Sequence, residues 1–243
     1  MKRILSRVRR CVDDFDMIKE GDKIAVGLSG GKDSLTLLLA LNELKRFYPK
    51  KFDVVAISLD LGFENLDEPL YADAIKVQEV AELCKEKGIE LIVKKTDIAK
   101  ILFDIRKEKN PCALCAKMRR GALNSLAKEE GCTSVALGHH NDDAVETFFL
   151  SLFYEGRINC FKPVTHLSNI DINVIRPLLY VGEDDTISFA AAEKLPIVHN
   201  PCPADGYTKR QTMKEFVREH TEADSHFKTR VTGAIHKDIW NLG

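Results

Sequence analysis

At 243 residues the chain is long enough for one α/β domain with a modest appendage. Hydrophobic residues make up 44% and charged residues 30%, enough for a full core, and no window approaches the run of about 18 apolar residues that a membrane span needs. The net charge of −1 gives no global attraction to nucleic acid, so any RNA contact must come from a local basic patch.

The N-terminus, MKRILSRVRRCVDDFDMI, spaces Ile4, Leu5, Val8, Val12, Phe15 and Ile18 at roughly helical intervals, with Arg3, Arg7, Arg9 and Arg10 on other faces. It lacks the continuous apolar stretch and small-residue cleavage site of a secretory signal, so a cytoplasmic protein is expected. Gly21 is expected to end this helix. IAVGL (24–28) then reads as a buried strand, followed by a glycine turn and a helix over about 34–47. VVAISLD (54–60) is a second strand, 70–87 a helix stopped by Gly88, and IELIVKK (89–95) a third strand. A helix over about 115–130 stops at Gly131, SVALG (134–138) is a fourth strand, and a helix follows over about 142–152. INVIRPL (172–178) is a fifth strand, 184–195 a helix, and the remainder helical with a long polar tail. Strands alternating with helices predict an α/β fold: a doubly wound parallel sheet covered on both faces. The division expected is a basic helix over 1–20 and a single domain over 21–243 with a C-terminal helical extension.

The first strand runs into Ser29-Gly30-Gly31-Lys32-Asp33-Ser34 and straight into a helix. Glycines let the backbone turn tightly against an anion, and the free amides at the helix start point at phosphate oxygens. Ser29 and Ser34 add hydroxyls and Lys32 adds charge. Asp33 would repel phosphate unless a cation bridges them, which suggests Mg²⁺. The loop is too short to be G-x-x-x-x-G-K-[ST]. Gly138-His139-His140-Asn141-Asp142-Asp143 follows the fourth strand, with the aspartates at a helix start where they also serve as caps. Glu146 lies one turn further on. Adjacent histidines point in different directions, so a shared zinc is awkward here.

The chain has seven cysteines, an odd number at irregular spacing, which is no disulfide framework. Cys112 and Cys115 form a C-x-x-C ahead of a helix, and Cys202 lies in the loop 199–211 with Pro201, Pro203 and Gly206. C-x-x-C alone fits a redox pair, half a zinc site or a cluster ligand pair. Cys11, Cys84, Cys132 and Cys160 fit ordinary helix or core positions.

SGGKDS resembles the signature of the PP-loop ATP pyrophosphatases, and GHHNDD the GHxxDD element of those members that modify tRNA. PCALCAKMRRGAL, ALGHHNDDAVETFFLSLFYEGRI, VIRPL and a late cysteine between prolines together resemble the tRNA 2-thiocytidine synthetases, over roughly residues 3–218. That family usually carries a second C-x-x-C in the late motif; here Cys202 stands alone. The resemblance implies ATP cleavage between the α and β phosphates, with Mg²⁺, and adenylation of a pyrimidine carbonyl in tRNA. It assigns Leu28, Ser29, Gly30, Gly31, Lys32, Asp33, Ser34, Ser58, Leu59, Gly138 and Asp142 to ATP. It assigns Cys112, Cys115 and Cys202 to a 4Fe-4S cluster whose open iron carries the sulfur. Asp142, Arg119 and Asp33 become catalytic, with Arg119 neutralising charge at the reacting centre. Arg7, Arg10, Arg120 and Arg210 become tRNA contacts, beside Arg3, Arg9 and Lys209. A cysteine desulfurase or another sulfur donor is the implied partner, and a homodimer is an assembly open to it. The alternatives are a tRNA lysidine synthetase-like ligase, a PP-loop thiolase acting on a small molecule, and a non-enzymatic module binding ATP or an iron–sulfur cluster.

Overall fold

In the computed structural model, residues 1–67, 70, 73–107, 111–199, 201–202 and 209–241 are described. Pro203 and Gly206 of the proline-bounded loop lie outside them. The elements run α1 (Lys2–Asp14), β1 (Asp22–Gly27), α2 (Lys32–Leu44), β2 (Phe52–Asp60), α3 (Ala74–Glu86), β3 (Glu90–Lys95) and the single turn α4 (Ile98–Lys100), which widens into a π-type turn over Ile101–Ile105. They continue as α5 (Pro111–Glu129), β4 (Ser134–Ala136), α6 (Asn141–Leu150) with a π-type extension over Ser151–Glu155, β5 (Val164–Leu167), β6 (Ile172–Ile175), α7 (Glu183–Ala192), α8 (Lys209–Ala223) and α9 (Phe227–Asp238).

The sheet has six strands in the order β3-β2-β1-β4-β6-β5. All pairings are parallel except β5 with β6, which is antiparallel. The sheet is therefore parallel, as expected, with one correction: the edge strand Val164–Leu167 was not foreseen, because VTHL is short and only partly buried. The chain winds from β1 outward to β2 and β3, then returns to the other side of β1 with β4. The order reverses between β1 and β4, the place where open α/β sheets bind ligands beyond their strand ends.

Alternation along the central strands feeds two apolar layers. Ile24, Val26, Val54 and Ala56 face a large layer built with α1, α2, α6 and the C-terminal helices. Ala25, Val55 and Ile57 face a smaller one, covered by Leu123, Leu126 and Ala127 of α5. Burial on both faces explains why these strands read as continuous apolar runs.

Several boundaries differ from expectation. α1 ends at Asp14, well before Gly21, and Asp16 turns left-handed at φ 46°. Its last turn carries Asp13 and Asp14, whose charge opposes the negative pole of the helix. α5 begins at Pro111, so Cys112 and Cys115 lie in its first turns and not ahead of it. Proline suits that position, since a first-turn amide has no helical acceptor. The expected polar tail is instead α9, with Ile235 and Trp240 buried in the large layer. Among the described residues, no helix is long and apolar enough to cross a membrane.

Candidate functional site

The phosphate loop closes on itself through its serines. The Ser29 amide donates to Ser34 Oγ at 3.2 Å, the two hydroxyls are 3.1 Å apart, and Ser34 Oγ donates to the Gly31 carbonyl at 2.9 Å. Gly30 has φ +80°, and a Cβ there would sit 2.9 Å from Val198 Cβ. Gly138 comes close to the same loop, where a Cβ would lie 3.1 Å from the Ser34 amide nitrogen. Only glycine lets these two strand ends approach each other and an anion. Ser58 and Leu59 close β2 next door, while Leu28 is buried with its amide on the Ile57 carbonyl.

Around this loop the carboxylates are densely paired. Lys32 Nζ reaches Asp33 Oδ2 at 2.9 Å and Glu183 Oε1 at 3.1 Å, and Lys214 Nζ reaches the same Glu183 oxygen at 2.7 Å. Asp142 accepts the Glu183 amide at 2.7 Å and pairs closely with Lys228. Thr186 Oγ1 donates to Asp33 Oδ1 at 2.6 Å. Burial would raise the Glu183 carboxyl, but Lys214 and Lys32 pull it down to about 2. Burial would lower Lys32, but Asp33 and Glu183 hold it above the ordinary lysine value.

The helix after Gly138 is not capped by an aspartate. His140 is the N-cap: its Nδ1 accepts the Asp143 amide at 3.3 Å, and Asp143 Oδ2 accepts the His140 amide at 2.9 Å. That frees Asp142 to face the loop, 7% exposed. His140 is buried, and His139 lies against the Phe161 ring with Nδ1 buried and unpaired. Burial lowers His139 to about 4. Glu146, raised by burial and by Asp143, faces Arg210 and not the loop.

Of the three cysteines named from sequence, Cys112 and Cys202 lie near enough to Cys115 for their charges to act on it. Cys115 is shifted upward first by burial, then by the charges of Cys202 and Cys112, and Arg119 opposes the shift as a cation and hydrogen-bond donor. The i, i+3 spacing in α5 puts Cys112 and Cys115 on one helix face. Cys202 packs beside Phe63, Leu66 and Ala99 beyond the end of β2. Among the described residues, no group of three His, Cys, Asp or Glu side chains is close enough to hold a single metal ion. Cys11, Cys84, Cys132 and Cys160 are buried, Cys112 is exposed, and Cys115 and Cys202 are half-buried.

Both cysteine-bearing segments are docked on glycines of the phosphate loop and its strand. Leu123 of α5 fills the space at Gly27, where a Cβ would meet its methyl at 2.9 Å. Val198, shortly before Cys202, covers Gly30 and donates its amide to the Gly30 carbonyl at 3.0 Å.

The arginines offered to RNA differ in availability. Arg7 is paired with Asp185, and Arg10 with Asp14 at 3.5 Å while lying over the Tyr180 ring. Arg210 spans Asp143 at 3.0 Å and Glu146 at 3.5 Å, tying α8 to α6. Arg120 is exposed, its Nε on the Ala116 carbonyl at 3.1 Å. Sequence reading missed Glu183, Thr186, Lys214, Lys228 and Val198. The acidic run Glu183-Asp184-Asp185 after Gly182 was a usable signal; for Lys228 there was none.

A family model for the PP-loop domain matches residues 2–221. Proteins named tRNA-cytidine(32) 2-sulfurtransferase from Syntrophotalea carbinolica and Geotalea daltonii are each 38% identical over 237 residues, covering 96% of this chain and 88% and 90% of theirs. One of the same name from Geobacter metallireducens is 40% identical over 225 residues, covering 90% of this chain and 82% of its own. The solved U34-tRNA thiolase NcsA from Methanococcus maripaludis, with its 4Fe-4S cluster, is 25% identical with a TM-score of 0.77, covering 96% of this chain and 77% of that one.

Proposed function

Since the chain belongs to the PP-loop family, with tRNA-cytidine(32) 2-sulfurtransferases among its relatives, we propose that it is an ATP-dependent tRNA sulfurtransferase that forms 2-thiocytidine. The observation that carries this reading is the docking of both cysteine segments on the phosphate loop and its strand, at Gly30 and Gly27. The same loop and strand thus anchor both cysteine segments.

In the first half-reaction the loop amides and Lys32 hold the phosphates, and Asp33 and Asp142 supply oxygens for Mg²⁺. The C2 carbonyl oxygen of the cytosine attacks the α-phosphorus. An O–P bond forms, the bond to the β-phosphate oxygen breaks, and pyrophosphate leaves. In the second half-reaction sulfur at the sulfide level, as hydrosulfide, bonds to C2, the C2–O bond breaks, AMP carries the oxygen away and the S–H proton is lost to solvent. Arg119 sits beside Cys115 to neutralise charge at that centre.

The donor set fits a 4Fe-4S cluster: thiols that repel one another's negative charge gain from a cationic centre between them, and their ligand type is the one such clusters use. Cys112, Cys115 and Cys202 would hold it, and when bound it supplies the sulfur-delivering metal site. Neither ATP nor tRNA brings the sulfur atom, so a cysteine desulfurase or another donor must supply it. The exposed Arg120 is the best placed of the named arginines to meet tRNA phosphate, and the setting is the cytoplasm, where tRNA is modified.

The test is mass analysis of tRNA nucleosides from a strain lacking the gene. Loss of 2-thiocytidine, restored by the wild-type chain and not by Cys115→Ala, is expected. Unchanged 2-thiocytidine in the deletion strain overturns the assignment.

A further inference from the structure

The C-terminal helices contribute two cations to the phosphate loop, and the chemistry above leaves both unused. Lys214 of α8 and Lys32 of the loop share one acceptor, Glu183 Oε1, at 2.7 and 3.1 Å. Lys228 of α9 lies on Asp142 Oδ1, while the other Asp142 oxygen takes the Glu183 amide. Both lysines are therefore one carboxylate away from groups that meet ATP and its metal. Lys214 is about half-exposed, and Lys228 keeps 28% of its side chain exposed.

We infer that Lys214 and Lys228 form a pyrophosphate-binding subsite, gripping the β- and γ-phosphates of ATP and then the leaving group. The inference rests on the nucleotide reading of this site and names residues that reading did not include. The physical argument is a competition. A carboxylate oxygen that coordinates Mg²⁺ at about 2.1 Å cannot keep an ammonium partner on the same lone pairs. When the metal takes Asp142, Lys228 gives up that partner and turns on its flexible stem to the nearest remaining anion, a phosphate oxygen. Lys214 is placed to do the same from Glu183, next to Lys32. Charge that develops on the bridging oxygen as the α–β bond breaks then meets three lysines, two of them from helices that follow Cys202 in the chain. Glu183 acts in this scheme as a resting place for cations and does not touch the nucleotide.

The test is calorimetric titration of the full chain, in Mg²⁺, with ATP, inorganic pyrophosphate and AMP. Lys228→Gln and Lys214→Gln should each weaken ATP and pyrophosphate by about tenfold or more, the worth of one charged hydrogen bond, and leave AMP within about twofold. Lys228→Arg, which keeps the charge should the glutamine variant not fold, should retain most of the pyrophosphate affinity. Glu183→Gln should leave pyrophosphate binding equal or tighter. Equal losses for AMP and pyrophosphate would mean that the lysines only brace the fold, and unchanged pyrophosphate affinity would mean that they stay on their carboxylates; either overturns the inference. Wild-type protein that binds none of the three ligands overturns the nucleotide reading, and this inference with it.

Discussion

The phosphate loop and the thiol group share a scaffold but are held in opposite ways. Around the loop, Asp33, Asp142 and Glu183 each have at least two polar partners, and those partners come from α2, α7, α8 and α9. Around the thiols stand the cation Arg119, an apolar wall of Phe63, Leu66 and Ala99, and an exposed Cys112. The loop is built to exchange one set of ionic partners for another. Burial and the charges of Cys202 and Cys112 hold the Cys115 thiol above its ordinary value, and Arg119 pulls the other way. A site of the first kind tolerates loss of a single contact by degrees. A site of the second kind loses its centre when any ligand goes.

The sharpest break of that contrast is at the thiols. Cys112→Ala, Cys115→Ala and Cys202→Ala should each abolish thiolation and bound iron in anaerobically purified protein, while ATP binding stays within about twofold, because the loop is held by its own serines and by Val198. Cys84→Ala and Cys132→Ala should keep both iron and thiolation. On the other side, Asp142→Asn should lower adenylation by about a hundredfold or more with iron content unchanged, since it removes the negative charge and leaves one oxygen where the metal and the Glu183 amide need two. ATP labelled at the α-phosphate should yield AMP and pyrophosphate, and accumulation of ADP would contradict the PP-loop chemistry. A smaller effect is expected from Gly138→Ala. Its Cβ would press on backbone at Asp33 and Ser34, which cannot rotate away, so ATP affinity should fall by about tenfold while the fold holds. If Gly138→Ala instead costs iron, the two halves are more tightly joined than their contacts indicate.

What sequence could reveal follows from how local each signal is. The loop, the GHHNDD turn and the C-x-x-C are short runs whose chemistry is carried by neighbours in the chain, so their identity was readable. That the strands form one mostly parallel sheet was readable too, because alternating β and α segments leave few alternatives. The partners of those motifs were not. Glu183 reaches Lys32, Val198 covers Gly30, and Lys228 reaches Asp142 only because α7 and α9 fold back across the sheet, and nothing in the sequence marks Lys228 apart from other lysines. The role of His140 as cap was hidden because aspartate is the commoner capping residue and two stood beside it. The edge strand β5 is short and half-buried, so its alternation gives almost no signal.

The mildest prediction concerns pH. His139 sits against Phe161 with its Nδ1 buried and unpaired, and Arg176 lies over the same ring at 5.0 Å, itself lowered to about 10 by burial. Burial outweighs the nearby Asp143, with Arg176, Arg210 and His140 adding to the same direction, and His139 falls to about 4. A histidine whose folded value lies below its unfolded value is neutral in both states at high pH and then costs nothing. As pH falls through the unfolded value of about 6.5, the unfolded chain takes up a proton that the folded chain refuses, and stability declines until the folded value near 4 is reached. The wild-type urea midpoint should therefore fall between pH 6.5 and 4 more steeply than that of His139→Gln, which cannot titrate, and the two curves should run parallel above pH 7. Equal slopes for both proteins would show that His139 protonates as easily folded as unfolded, and that the ring it rests on gives it no effective shelter from water.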